Sequence, residues 1–262
     1  MLFRSIQQLT PLTYQGPHSL AGQAVLVVGS GQSGCQIAYD CLCAGKQVHL
    51  SISRTGTLPA RYRGCHITHW LTQLGIYEQR LADLPRPELA NAPYPHVAAV
   101  TATACQTLPW YASQGMHLYG RLMQCDQTQL QFLPDCEDTL AFHRHYMRIV
   151  CEQVNPIAAG HPMENVVARA LTEDIISGNP THLDLADANI DTVIWCTGFN
   201  ASYPWIDLPI FDAEGHLEHQ QGMTAVPGCY VVGLPCWQRK AKSALLYGIA
   251  EDVTAIIPLL TS

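Results

Sequence analysis

The chain carries little charge. Lys, Arg, Asp and Glu make up 13% of its 262 residues and hydrophobic residues 48%, which excludes a disordered chain and supplies a substantial core. Basic residues form no long run and the formal net charge is −7, so a nucleic-acid partner is not expected. No stretch of 18 apolar residues exists, and nothing reads as a membrane span. Met1-Leu2-Phe3-Arg4 has no apolar core behind it, unlike a secretory signal, and the expected location is the cytoplasm. Eleven cysteines are present, yet no C-x-x-C pair; Cys41-x-Cys43 is the nearest approach. A redox dithiol of that type therefore lacks its motif, and cysteines such as Cys35, Cys196 and Cys229 read as reduced, buried thiols. His66-x-x-His69 and His143-x-His145 have no Cys/His pair at finger spacing beside them, so no metal site is expected.

What is present is a run from Val25 to Gly34 that ends in Gly29-Ser30-Gly31-Gln32-Ser33-Gly34. An apolar strand, G-x-G-x-x-G and a helix-like segment follow one another, the order that suits a dinucleotide. Gly29 turns the chain off the strand, Gly31 lets the backbone approach a pyrophosphate, and Gly34 lets the helix pack near the sheet. The helix N-terminus then offers free N–H groups to phosphate. The alternative is an empty turn kept for packing. Gln47 to Ser53 alternates, with Val48, Leu50 and Ile52 on one face and His49, Ser51 and Ser53 on the other, and reads as the second strand. A cofactor with a free ribose 2′-OH meets an acidic residue near the end of this strand. Here stand Ser53 and Arg54, and no Asp or Glu lies between Lys46 and Tyr77. A serine and an arginine suit a 2′-phosphate that a carboxylate would repel, which favours NADP(H) over NAD(H). Arg61 and Arg63 are candidates to extend a basic pocket.

Farther along, residues 1–23 read as a lead-in, His66–Leu74 as a helix, Leu84–Pro95 as a loop, and His96–Ala104 as helix or strand. Asp138–Val154 is helical in spacing, through Leu140, His143, Met147, Val150 and Val154. Asn165–Asp174 and Thr181–Asp187 read as strands around a turn at 177–180. Asp191–Phe199 reads as a buried strand ending at glycine and Gly228–Leu234 as a second, followed by a polar stretch at 238–242. A helix is expected from Ser243, as N-cap, to about Ile257.

Taken in order, Val25–Gly34, Ser53-Arg54, Val193–Phe199 and Gly228–Gly233 resemble the flavin-containing monooxygenase-like oxidoreductases, flavoproteins with two dinucleotide-binding domains. The resemblance covers nearly the whole chain. It implies an NADPH domain inserted in an FAD domain, with Gly29–Gly34 as the NADPH loop. Cys196-Thr197-Gly198-Phe199 resembles the segment where the chain returns to the FAD domain, with Cys196 in place of an alanine. Gly233-Leu234 and the helix from Ser243 resemble the segment that touches the flavin. The implied cofactor-binding set is Gly29, Ser30, Gly31, Gln32, Ser33, Gly34, Ser53, Arg54, Thr197, Gly198, Gly233 and Leu234. One departure stands out: family members open with a separate G-x-G-x-x-G for the ADP part of FAD, and only 23 residues precede Ala24, fewer than a βαβ unit needs.

The expected fold class is α/β: a Rossmann-like, doubly wound NADPH domain at 24–190 and, at 191–262, the C-terminal part of an incomplete FAD domain. The expected function is an NADPH-dependent flavin oxidoreductase of monooxygenase type acting on a small-molecule substrate, in a truncated or split form. The alternative is a non-catalytic NADP(H)-binding half-protein that docks or senses; a metal or thiol redox protein ranks last. The cofactors carry the chemistry in the first case, so no catalytic acid or base is named. Val193–Cys196 and Tyr230–Val232 are apolar on both faces, as in a buried parallel sheet. An open sheet edge beside them would recruit a chain supplying the FAD segment, or a second copy.

Overall fold

A computed structural model describes residues 6–84, 86, 89–90, 92–172, 178–234, 239 and 241–260. The chain forms two compact units, Met1–Thr68 with Tyr94–Gly198, and His69–Pro93 with Phe199–Ser262. The strand from residue 190 pairs into the first unit, and residues 69–93 belong to the second.

In chain order the elements begin with β1 (Gln7–Leu9), β2 (Ala24–Val28), α1 (Gln32–Cys43) and β3 (Gln47–Ser51). Three short strands follow, β4 (Thr57–Pro59), β5 (Arg61–Tyr62) and β6 (Cys65–His66), then α2 (Ile67–Gln73), β7 (His96–Ala98), α3 (Leu108–Ser113) and β8 (His117–Tyr119). Next come β9 (Leu122–Asp126), β10 (Gln129–Phe132), α4 (Cys136–Val154), α5 (Asn165–Thr172), β11 (His182–Asp184), β12 (Ile190–Trp195) and α6 (Leu246–Leu260).

The first unit is built on a five-stranded parallel sheet in the order β1-β12-β2-β3-β8. All five residues of β2 are buried, which explains the unbroken Ala-Val-Leu-Val-Val run: the strand has no solvent face. Val25 and Val27 point into a core with Cys35, Ile37, Ala38 and Cys41 of α1. Ala24, Leu26 and Val28 face Leu130 and Phe132 of β10. The antiparallel sheet β11-β10-β9 thus covers the second face.

Several expectations are corrected. His49 and Ser51 are buried along with Val48, Leu50 and Ile52, because β3 is covered on both faces. One polar atom of each is met inside, His49 Nδ1 by the Tyr119 hydroxyl at 3.0 Å and Ser51 Oγ by the Gly120 carbonyl at 2.9 Å, while His49 Nε2 is buried without a hydrogen-bond partner among the described residues. Residues 6–23 are not a mere lead-in, since β1 pairs with β12. β12 therefore has a neighbour on each side, and the sheet is not open there. Asn165–Thr172 is helix, not strand. Gly228–Leu234 forms no strand: its contacts are turns and an isolated Met223–Tyr230 bridge, and Val232 is exposed. α6 starts at Leu246, three residues past the expected cap. Residues 173–177, 235–238 and 240, where parts of the expected strand, turn and polar stretch fall, lie outside the described residues.

Candidate functional site

The chain leaves β2 at Gly29, whose φ is 105°, a conformation that suits glycine. A Cβ there would sit 2.3 Å from the Cys196 carbonyl oxygen. At Gly34 a Cβ would sit 1.8 Å from the Gly29 carbonyl oxygen. Both glycines are thus required by the fold. Gly31 is different. It is the N-cap of α1 with φ −68° and ψ −173°, which any residue adopts, and a Cβ there would meet nothing within 4 Å. The twelve-residue α1 has no side-chain cap, so the N–H groups of its first turn remain available to an anion.

Ser30 joins this loop to the end of β3. It is fully buried, and its Oγ accepts the Ser53 backbone N–H at 2.8 Å. The Gly29 N–H donates to the Ser51 carbonyl at 2.9 Å. Gln32 Oε1 accepts the Val97 N–H at 2.9 Å, tying the first turn of α1 to β7. Ser33 is half-buried beside it. The order of the sheet places this loop at a topological switch: β3 and β12 flank β2 on opposite sides. Such a crevice, outside the carboxyl ends of the strands, is where nucleotides bind in open α/β sheets.

Arg54 follows Ser53 and is exposed. Its guanidinium carbon lies 4.6 Å from the centroid of the Phe142 ring, and it has no carboxylate or hydrogen-bond acceptor among the described residues. The expected basic neighbours are used otherwise. Arg61 donates to the Gly64 carbonyl at 2.8 Å. Arg63 donates to Asn155 Oδ1 at 2.8 Å and to the His161 carbonyl at 2.7 Å. These bonds brace the segment after β4.

His143 is buried on α4. Its Nε2 lies 2.7 Å from the Ser53 carbonyl and its Nδ1 2.6 Å from Thr57 Oγ1. A carbonyl only accepts, so Nε2 carries the proton and Nδ1 accepts from the Thr57 hydroxyl. Burial lowers the pKa of this imidazole, partly offset by the hydrogen bond to Ser53. With both nitrogens engaged, His143 is a brace and not a free acid or base. Sequence reading placed His143 on the helix core but missed its role, and missed Phe142 and Thr57, because these partners lie about ninety residues apart and carry no local motif.

The remaining expected site residues divide between the units. Thr197 and Gly198 are exposed at the end of β12, and the Thr197 N–H lies 3.6 Å from where a Gly29 Cβ would be. This end of the chain is therefore beside the glycine loop. Gly233 and Leu234 belong to the second unit. There a Gly233 Cβ would sit 3.1 Å from Ile249 Cδ1, so the glycine permits packing on α6. Among the described residues Asp212, Glu214 and His216 gather possible metal-ligating atoms, but the Asp212 carboxylate accepts the Glu214 and His216 N–H groups and so accounts for the cluster as a turn.

Comparison with known proteins adds a lineage to this geometry. No family model matches the chain. An uncharacterized oxidoreductase CzcO of Bacillus velezensis is 34% identical over 259 residues, covering 96% of this chain and 57% of the relative. An uncharacterized CzcO-like oxidoreductase of Geobacillus kaustophilus is 26% identical over 254 residues, covering 96% of this chain and 56% of the relative. The chain thus spans little more than half the length of the curated relatives it matches. Among solved structures, a mutant flavin monooxygenase from Stenotrophomonas maltophilia superposes with a TM-score of 0.51 at 15% identity over 98% of this chain and 55% of that one. A flavin-containing monooxygenase of the same organism gives 0.50 at 16% identity over 99% and 56%. These structural likenesses concern the fold.

Proposed function

We propose that the chain belongs to the flavin-monooxygenase-like oxidoreductases, on its likeness to the CzcO oxidoreductases and to the flavin-monooxygenase fold, and that its first unit is an NADPH-binding site serving a flavin-dependent oxidation. One observation carries the reading: the glycine loop and the Ser53–Arg54 turn form a single hydrogen-bonded piece, and that piece presents a guanidinium with no acid beside it among the described residues. The open space at Gly31 fits the pyrophosphate, since a side chain is missing where the fold does not require it to be. The N–H groups at the start of α1 hold the phosphates, and Arg54 reads the 2′-phosphate through charge-assisted hydrogen bonds. When bound, NADPH supplies a hydride. The chain's own part is to bind and orient it; no side chain here is assigned a proton transfer.

For the flavin the fit differs. The sequence holds one G-x-G-x-x-G, and it belongs to the nucleotide site. By the resemblance, Gly233 and Leu234 of the second unit are the residues proposed to approach a flavin ring, and the described residues supply no second strand–turn–helix cradle for its ADP half. No chemical step is therefore assigned to it. A second reading is a module that binds NADPH without turnover of its own. Following the reduced-nicotinamide absorbance after FAD is added to chain and NADPH separates the two: oxidation supports the enzyme, and its absence supports the module.

The binding claim is tested by titrating the full chain and Arg54→Glu with NADPH. Loss of a charge-assisted contact costs about 1.5–3 kcal/mol, so the dissociation constant should rise by roughly 10- to 150-fold. An unchanged constant would contradict the role given to Arg54.

A further inference from the structure

The turn after β3 is moulded on one face of α4. In order along the turn, the Ser53 carbonyl accepts from His143 Nε2, Arg54 stacks on Phe142, Gly56 meets Tyr146, and Thr57 Oγ1 donates to His143 Nδ1. Gly56 has φ +73°, and a Cβ there would lie 2.9 Å from the Tyr146 ring, so turn and helix are in close contact. α4 itself is fixed: Leu140, His143, Met147 and Cys151 are buried at helical spacing. Three of its residues therefore hold a turn about ninety positions upstream. Nothing in the glycine motif or in the Ser53-Arg54 pair requires this arrangement.

We propose that Phe142 and His143 set the nucleotide preference of the site, His143 by fixing the Ser53 backbone and Phe142 by holding the Arg54 guanidinium in place before the 2′-phosphate arrives. The inference rests on the NADPH reading above. An arginine side chain free in solvent gives up rotamer freedom when it binds. A guanidinium already stacked on a ring has given up part of it, while its N–H edge stays free for phosphate oxygens. Both are positioning residues; neither has to touch the nucleotide. The ring acts only through Arg54, and Arg54 acts only on the 2′-phosphate. Removing the ring should therefore weaken NADPH binding and leave NADH binding as it was.

The test titrates the full chain, Phe142→Leu and Phe142→Tyr with NADPH and with NADH, and checks folding by circular dichroism. Phe142→Leu should lower the ratio of NADPH to NADH affinity by about two- to fivefold, with the NADH constant unmoved, and Phe142→Tyr should restore the ratio. A ratio unchanged in Phe142→Leu, whether both constants worsen together or neither moves, overturns the proposal and makes Phe142 a packing residue. An unmutated chain with no preference for NADPH would instead defeat the nucleotide reading itself, so the two failures are distinct. Should the Leu variant not fold, the Arg54 Nε–H resonance of the unmutated chain, identified by its loss in Arg54→Lys, decides. A ring-current shift before nucleotide is added supports the stack, and a random-coil position overturns it.

Discussion

Gly31 stands apart from the two glycines that the fold requires. Gly29 and Gly34 are needed because neighbouring carbonyl oxygens occupy the places of their missing Cβ atoms. Gly31 has an ordinary backbone and open space around it, so a side chain there costs the fold little. Gly31→Val should consequently fold and lose nucleotide binding, whereas Gly34→Ala should lose stability as the helix is pushed from the loop. Circular dichroism with an NADPH titration checks both. A folded Gly31→Val variant that binds undiminished would mean that no ligand approaches that backbone. The three-glycine motif is legible in the sequence because its spacing is local. Which of its glycines the fold requires is not, because for Gly29 that depends on where Cys196 lies, more than 160 positions away.

At the scale of elements, β2–α1–β3 is readable for the same reason: strand, turn and helix signals are adjacent, and both flanking strands show their apolar residues. α5 is misread because Val166 and Val167 suggest a strand, while its position is fixed from afar. Glu164, just before it, accepts the Arg63 and Gly64 N–H groups at 2.8 and 3.0 Å. Gly228–Leu234 is misread because a short apolar run does not distinguish a buried strand from a half-buried turn. In the second unit an ion cluster joins segments that sequence order keeps far apart. The largely buried Lys242 contacts Glu78 at 2.5 Å and Glu251 of α6 at 2.6 Å, and Arg239 contacts Glu78 at 3.1 Å. The hydrogen bond from Lys242 holds the Glu78 carboxyl below the usual range, and burial pushes the Asp252 carboxyl up. Removing a cation from such a cluster leaves its acids uncompensated. Because Glu78 and Glu251 are about half exposed, Lys242→Met should cost roughly 1–3 kcal/mol in urea unfolding. A change under about 0.5 kcal/mol would make the cluster ornamental.

For the molecule as a whole, three buried histidines link stability to pH. Burial lowers His49 to about 4, with His117 beside it adding to the shift; burial also lowers His96 to about 4, with His143 contributing. His143 is lowered in the same direction. In the unfolded chain these groups titrate near the ordinary value of about 6.5. Between about pH 6.5 and pH 4 the unfolded state thus binds protons that the folded state does not, and stability falls as pH falls. Each such histidine contributes a slope of up to about 1.4 kcal/mol per pH unit. Urea midpoints should be level between about pH 7 and pH 8 and should drop steadily toward about pH 4.5; a midpoint that is flat or rises on acidification would show that these imidazoles are not held neutral.

The central claim is that the loop at Gly29–Gly34 and the turn at Ser53–Arg54 read one nucleotide, and that its 2′-phosphate is what they read. Calorimetric titration of the unmutated full chain with NADPH and with NADH, at low and at moderate salt, tests it most directly. The account predicts tighter binding of NADPH, with a margin that narrows as salt screens the exposed guanidinium. Equal affinities for the two nucleotides, or an affinity for NADH above that for NADPH, would contradict it.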